Sequence, residues 1–185
     1  MPIFTDSKSL MLRSTLEKTI RDVPDFPKPG ILFKDITPLL ENPELCSDIT
    51  DEFALQLANR KIDAIAGVES RGFLFGFLLA QKLNKPFILV RKAGKLPGKT
   101  IFYDYALEYG TARIEMQTGS IQKGWNVLLH DDLLATGGTM CAASELIAMQ
   151  GGTVAGYAFV VELGFLNGKQ RLDKYSENTI SLIQY

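Results

Sequence analysis

The sequence predicts an α/β fold, in which a mostly parallel twisted sheet is flanked by helices. Short apolar segments typical of buried strands alternate with helical segments, and this order favours parallel strands joined by right-handed crossovers. The chain has 185 residues, of which 46% are hydrophobic and 22% charged, as is ordinary for one compact domain. Polar and glycine-rich motifs follow several strands, where ligands of such sheets bind. We therefore expect a single domain over residues 1–185.

The amino-terminal part is predicted to form a helix and then a stiff loop. Apolar residues recur there at helical spacing, at Leu12, Leu16, Ile20 and Val23. Residues 24–30 contain three prolines and a glycine, so this loop is expected to be irregular but stiff. The apolar residues in and after it can belong to the core or line a pocket, and composition favours the core.

The rest of the chain alternates between strands and helices. Strands are predicted at 62–67, 86–90, 126–129 and 153–161, and helices at 43–60, 72–83 and 138–149. Residues 101–116 break this order, because their side chains alternate with the two-residue period of a strand. We predict a two-stranded ribbon outside the main sheet there. It is interpreted as part of a flexible flap, about residues 93–118, that excludes water from a site.

Charge and cysteine content exclude several classes of protein. The 20 Lys and Arg are balanced by 21 Asp and Glu, so the basic surplus of a dedicated nucleic-acid-binding protein is absent. Two cysteines and one histidine cannot supply a Cys/His zinc site, and unpaired cysteines suit a reducing compartment. The longest apolar run, residues 72–80, is far shorter than the ~18 residues that span a bilayer. We expect a cytoplasmic protein that binds neither nucleic acid nor membranes.

The most specific motif is VLLHDDLLATGGT, at residues 127–139. It places Asp131 and Asp132 at the end of an apolar strand, before a turn of small residues that opens a helix. The backbone amides of such a turn, with the helix N-terminus behind them, form a nest for a phosphate group. Carboxylates repel an anion, so the two aspartates must bind another part of the same ligand, either sugar hydroxyls or a metal ion. The pattern predicts a site for ribose 5-phosphate.

Two further loops are candidates for binding anions. The 67–72 loop, GVESRG, follows one predicted strand, and the basic loop, residues 91–99, follows the next with four basic side chains. A solvated surface loop would also explain the basic composition. Residues 98–100 end like a Walker A motif, but Ala93 stands at its first glycine position. The segment that follows does not read as a helix, so a nucleotide-hydrolase site is disfavoured.

These motifs, in this order, are similar to those of the type I phosphoribosyltransferases, and the resemblance spans nearly the whole chain. It implies the fold of that family, a small hood at about residues 1–40, and a pentosyltransferase that uses phosphoribosyl pyrophosphate. It implies that the ribose 5-phosphate is bound by Asp131 and Asp132 and by the phosphate loop, which is Ala135, Thr136, Gly137, Gly138 and Thr139. The residues implied to bind pyrophosphate, often beside a non-proline cis peptide, are Glu69, Ser70, Arg71, Arg91, Lys92 and Lys95.

The resemblance also implies a metal ion and a partner subunit. Mg²⁺ would be held by the substrate and by water, with no direct protein ligand. Part of the basic loop reaches the neighbouring subunit in this family, which implies a homodimer. His130 departs from the family pattern, since an aliphatic residue is usual there. Strand alternation places it opposite Asp131, so we expect a structural role.

The acceptor is indicated by residues 25–38, 69–76, 91–97 and 107–110, which resemble the adenine-specific branch. This implies that adenine and phosphoribosyl pyrophosphate give AMP and pyrophosphate. Phe33 would stack on adenine, and the backbone of Leu32 and Lys34 would bind its polar edge. Glu108 and Tyr109 resemble the catalytic loop, and they join Asp131 and Asp132 as catalytic candidates, with Glu108 handling the proton of the purine. The alternatives are a 6-oxopurine acceptor, or a regulator that senses phosphoribosyl pyrophosphate.

Overall fold

A computed structural model describes residues 7–106 and 110–185. The helices are α1 (Ser7–Thr19), α2 (Thr37–Leu40), α3 (Pro43–Leu57), α4 (Gly72–Lys82), α5 (Gly138–Met149) and α6 (Gly168–Leu172). The strands are β1 (Arg21–Pro24), β2 (Leu32–Asp35), β3 (Ala64–Val68), β4 (Phe87–Lys92), β5 (Thr100–Ala106), β6 (Thr111–Gln117), β7 (Asn126–Leu134), β8 (Thr153–Glu162) and β9 (Thr179–Gln184). Strands and helices alternate through the middle of the chain, as the sequence predicts.

Seven of these strands form one twisted sheet in the order β5-β6-β4-β3-β7-β8-β9. The five strands from β4 to β9 are parallel, which confirms the predicted fold class. The ribbon β5–β6 was expected outside this sheet, and that expectation is wrong. Strand β6 pairs antiparallel with the end of β4, at Arg91↔Glu115 and Lys92↔Ile114. This pairing supplies hydrogen-bond partners to an edge that β4 would otherwise expose.

Two apolar clusters cover the two faces of the sheet. Helices α1, α3 and α4 pack on one face, where Phe53 and Phe75 are fully buried. Helix α5 packs on the other. Strand β7 serves both faces, because Leu128 belongs to the first cluster while Val127 and Leu129 belong to the second. A central parallel strand is buried on both sides, which explains why its apolar run is nearly continuous.

Several element boundaries differ from the expected ones, and those of α1 and β7 move named residues into strands. Helix α1 ends at Thr19, so Val23 lies in β1 instead of on the last turn of the helix. Strand β7 continues to Leu134 and contains Asp131 and Asp132, because its ladder with β8 extends through Leu134↔Glu162. The two acidic residues predict the end of the strand, and that prediction is wrong. The pairing with β8, which satisfies the backbone, keeps it extended.

The segment before α2 contains a small sheet that the sequence did not predict. Strands β1 and β2 pair antiparallel and make a separate two-stranded sheet. The Pro-rich loop joins them, with a cis peptide between Phe26 and Pro27. The side chain of Asp25 accepts a hydrogen bond from the Gly30 amide at 2.7 Å, which closes the loop. The edge strand β9 was also not predicted. No helix of the described residues is long and apolar enough to cross a bilayer.

Candidate active site

The carboxyl ends of β3, β4 and β7 meet at one edge of the sheet, because these strands are parallel neighbours. A cavity of about 400 Å³ opens there. Its lining is polar and comes from three separate segments of the chain, Glu69, Ser70, Arg71, Lys92, Lys95, Asp131, Asp132 and Leu133. The fold thus brings together the 67–72 loop, the basic loop and the paired aspartates, as expected for residues at the ends of parallel strands.

The 67–72 loop lies directly against β7. Its Glu69–Ser70 peptide is cis, as the resemblance implies. Gly72 begins α4, and a Cβ atom at this position would lie 2.8 Å from Oδ1 of Asp131 and 2.9 Å from the carbonyl oxygen of His130. Only glycine therefore allows the loop to approach the aspartates this closely.

Glu69 connects this loop to the basic loop. Its carboxylate, which is nearly buried, accepts hydrogen bonds from Nζ of Lys95 at 2.6 Å, from the amide of Lys92 at 3.0 Å and from Nε of Arg91 at 3.3 Å. Burial acts to raise the pKa of Glu69, but these hydrogen bonds outweigh it and lower that pKa to about 2. Glu69 is therefore ionised and holds the basic side chains over the cavity. A direct contact with pyrophosphate remains a prediction.

The paired aspartates differ in their surroundings. Asp132 is 3% exposed, and its Oδ2 lies 2.9 Å from Nε of Arg71. Oδ1 of Asp131 accepts a hydrogen bond from the amide of Asp132 at 2.9 Å. Burial raises the pKa of Asp131 well above the ordinary aspartate value, and the charge of Asp132 raises it further. Burial also raises the pKa of Asp132, while the positive charge of Arg71 opposes the shift. The pair therefore favours a cation or hydroxyl groups as its partner.

The phosphate loop follows β7 and leads into α5. Gly137 has φ +77°, and a Cβ atom on it would lie 2.8 Å from the carbonyl oxygen of Gly168. Both observations require glycine at position 137. The first amides of α5 have no acceptor within the helix, so they are available to an anion. The geometry is that of a phosphate nest.

Two contacts that brace the phosphate loop were not found from the sequence. Tyr105 of β5 shares a hydrogen bond with the Thr139 hydroxyl at 3.1 Å, and Nη1 of Arg171 in α6 donates to the carbonyl of Thr136 at 3.2 Å. Asn167 and Gly168 signal a turn, but nothing in the sequence pairs that turn with the phosphate loop. The ribbon and α6 therefore both touch the phosphate loop.

The expected adenine residues lie in β2, beside the cavity. The Phe33 ring is 4.9 Å from the guanidinium carbon of Arg71, and the ring of Phe26 meets it edge-on at 5.1 Å. Arg71 thus connects Phe33 to Asp132. Leu32 is exposed, whereas Lys34 is buried. Adenine binding by these residues remains a prediction.

Two other expectations, for the flap residues and for His130, meet different outcomes. Glu108 and Tyr109 lie outside the described residues. His130 is fully buried, with its ring edge-on to Phe53 at 5.5 Å, and burial lowers its pKa to about 3. It is therefore a neutral packed side chain, in line with the structural role expected for it. Within residues 7–106 and 110–185, no group of three or more His, Cys, Asp or Glu side chains is arranged to hold a metal ion.

This sheet, with a nest after a central strand that contains two adjacent aspartates, defines a phosphoribosyl transferase domain, and the profile of that domain matches residues 36–183. The adenine phosphoribosyltransferase of Cytophaga hutchinsonii is 50% identical over 175 residues, covering 95% of this chain and 97% of that protein. The crystal structure of the Thermoanaerobacter pseudethanolicus adenine phosphoribosyltransferase superposes with a TM-score of 0.90 at 46% identity, covering 94% of this chain and 99% of that one. The Saccharomyces cerevisiae enzyme, crystallised with adenine and an imino-altritol bisphosphate, superposes with a TM-score of 0.89 at 41% identity, covering 94% of this chain and 99% of that one. The chain belongs to the adenine phosphoribosyltransferase family.

Proposed function

We propose that this protein transfers the 5-phosphoribosyl group of phosphoribosyl pyrophosphate to adenine, giving AMP and pyrophosphate in purine salvage. The observation that carries this proposal is one cavity in which Asp131 and Asp132 face Arg71, Lys92 and Lys95. Two carboxylates beside basic side chains suit a ligand that carries both hydroxyls and a pyrophosphate. The names of the relatives, and adenine in the yeast crystal structure, support the choice of acceptor.

The reaction needs stabilisation of a positive charge on the sugar and of a negative charge on the leaving group. As pyrophosphate leaves C1 of the ribose, positive charge develops on the sugar, and the carboxylates of Asp131 and Asp132 stabilise it. Arg71, Lys92 and Lys95 neutralise the charge of the leaving group. Amides of the phosphate loop hold the 5-phosphate, so the reacting carbon stays between the two aspartates and the basic side chains.

Mg²⁺ is the proposed cofactor. The donor set fits it, since two adjacent carboxylates at the edge of a cavity suit a hard cation that keeps several water ligands. When bound with the substrate, Mg²⁺ offsets the charge of the pyrophosphate and favours the ionised form of both aspartates. Asp131 and Asp132 would orient its water ligands.

Purine selection is assigned to β2, with Phe33 stacked on the ring and the backbone of Leu32 and Lys34 at its polar edge. Strand β2 pairs only with β1 among the described residues, so its other edge has free backbone groups. A fixed donor and acceptor pair distinguishes a 6-amino from a 6-oxo purine, because the polarity at that edge is reversed.

An assay of the purified protein with phosphoribosyl pyrophosphate, Mg²⁺ and each purine in turn tests the proposal. We expect AMP and pyrophosphate with adenine, and loss of turnover when Mg²⁺ is chelated. Turnover with hypoxanthine or guanine alone would refute the choice of adenine. Absence of turnover with every purine, together with tight binding of duplex DNA, would instead indicate a regulator.

Glu108 and Tyr109 are proposed as catalytic residues of the flap, and the support for this is the resemblance of residues 107–110 to the catalytic loop of the family. Glu108 would accept the proton that the purine loses. We expect Glu108→Gln to lower kcat at least ~10-fold with little change in adenine affinity. An unchanged kcat would return Glu108 to the role of a surface residue.

A homodimer is proposed for the assembly. Support comes from an exposed apolar stripe on α4, Leu74, Phe77 and Leu78, beside the exposed Leu89 of β4. Such a stripe on a helix next to the active-site loops is typical of a subunit interface.

A cytoplasmic location is supported by Cys46 and Cys141, which are both free. Subcellular fractionation of the source cells tests it.

A further inference from the structure

Strand β2 is held by a lysine where an apolar residue would be usual. Lys34 is 8% exposed, whereas Leu32 is 49% exposed, and Phe33 and Asp35 are half-buried. Lysine is among the residue types least often buried, and it is buried only with partners. The only buried residue of β2 is therefore a lysine.

Two partners compensate the Lys34 ammonium. Its Nζ lies 2.6 Å from Oδ1 of Asp22, the cross-strand neighbour on β1, and 3.6 Å from the centroid of the Tyr185 ring. A cation over an aromatic face gains most where the cation is shielded from water, and the Lys34 side chain is only 9% exposed. The lysine stem thus ties the small sheet to a residue outside it.

Tyr185 directly follows β9, the edge strand of the main sheet. Its amide donates to the carbonyl of Glu162 in β8 at 2.9 Å, and its carbonyl accepts from the Gly164 amide at 2.9 Å. The ring is therefore fixed relative to the strands that carry the cavity. Ile20 and Ile36, which flank the end of the small sheet where Arg21 pairs with Asp35, are buried in the same apolar core. They hold the sheet on the body of the protein, and Lys34 holds the middle of β2.

We propose that the Lys34 side chain is a positioning residue, which fixes the backbone of β2 against the purine through Asp22 and Tyr185. This inference rests on the proposed recognition of adenine by β2. Its support is that Phe33 contacts Arg71 of the cavity, so a ring stacked on Phe33 would lie along the unpaired edge of β2. Backbone groups cannot change rotamer to follow a ligand, so their accuracy depends on what anchors the strand.

The test uses three variants with steady-state kinetics for both substrates. Lys34→Met keeps the stem and removes the charge, Lys34→Arg keeps a cation for Asp22 and the ring, and Tyr185→Leu removes the aromatic face. We expect Lys34→Met to raise the KM for adenine by roughly 10-fold while the KM for phosphoribosyl pyrophosphate stays within about twofold. Lys34→Arg should restore most of the loss. Tyr185→Leu should raise the same KM, and adding it to Lys34→Met should change little more, because the two residues act as a unit.

Controls separate this inference from the proposed function. Lys61→Met, an exposed lysine at the opposite end of the strands, should leave both KM values unchanged. Turnover of adenine by the wild type, with an unchanged adenine KM in Lys34→Met, would overturn the role of Lys34 alone. A parallel rise of both KM values with a fall in Tm would also overturn it, since that is a general loss of structure. Failure of the wild type to use adenine would refute the proposed function and the inference together.

Discussion

Six charged side chains line one cavity of a protein whose net charge is only −1, and three of them are acidic while three are basic. Four of them form two ion pairs. Arg71 is paired with Asp132, and Lys95 with Glu69. On the proposed function, pyrophosphate would therefore compete with the protein carboxylates for these cations, which would limit how tightly the product is held.

Asp132→Asn removes one carboxylate while keeping its size. We expect kcat/KM to fall on the order of 100-fold or more, because the positive charge on the sugar loses a stabilising group. The fold should survive, since Arg71 is partly exposed and can turn to solvent. Steady-state kinetics and thermal unfolding check this, with Asp48→Asn on α3 as a matched control. Wild-type kinetics in Asp132→Asn would remove the assignment of this residue to the ribose.

Glu69→Gln tests the ion pairs of the basic loop through pH. The pKa of Glu69 is about 2 in the folded state against an ordinary 4.5, so its ionised form stabilises the fold above that ordinary value and the gain is lost as pH falls towards 2. The wild type should lose on the order of 2 kcal/mol more unfolding free energy than Glu69→Gln between about pH 6 and about pH 3. Denaturant unfolding at both pH values measures this, with the exposed Glu177→Gln as control. Equal losses of unfolding free energy in the wild type, Glu69→Gln and Glu177→Gln would contradict a stabilising role for the ion pairs of Glu69.

At the scale of elements, the phosphate loop depends on three parts of the chain. Strand β7 leads into it, α5 begins in it, and α6 packs behind it through Gly168. The ribbon reaches it through Tyr105. A shift of Tyr105 would therefore act directly on Thr139 of the phosphate loop.

Gly137→Ala tests that packing. The new Cβ would combine a positive φ with a 2.8 Å approach to the Gly168 carbonyl, so the loop must shift. We expect the KM for phosphoribosyl pyrophosphate to rise roughly 10-fold or more and stability to fall by about 1–3 kcal/mol. Gly119→Ala is a matched control, with φ +78° and open space around its Cβ. It should lose stability without a change in KM, and equal KM effects in both variants would show that strain alone is responsible.

The whole molecule has helices on both faces of its sheet, and α4 presents apolar side chains to solvent beside the active-site loops. If this face joins two subunits, the basic loops and the cavities of both lie near the interface. Assembly would then be coupled to activity, because the loops that bind pyrophosphate would be ordered by the partner.

Leu78→Glu tests the assembly. A charge on the α4 stripe should convert the proposed dimer to a monomer, since a buried unpaired carboxylate disfavours association. Sedimentation analysis checks this, and kcat should fall with the loss of the dimer. Leu55→Glu, the same change at an exposed leucine of α3, should leave the mass in solution unchanged. A dimer that persists in Leu78→Glu would place the interface elsewhere.

The sequence by itself determined the α/β class, the order of strands and helices, and the loops that carry chemistry. These features are local, because strand and helix periods and the small residues of the phosphate loop can be read within a few positions. The tertiary structure alone decided that Glu69 binds the basic loop and that Arg71 pairs with Asp132. It also decided that the Lys34 ammonium lies over the Tyr185 ring. It also joined β6 to β4 and extended β7 through the aspartates. The physical reason is that each of these contacts joins residues far apart in the chain, and only the folding of the sheet brings them within hydrogen-bonding distance.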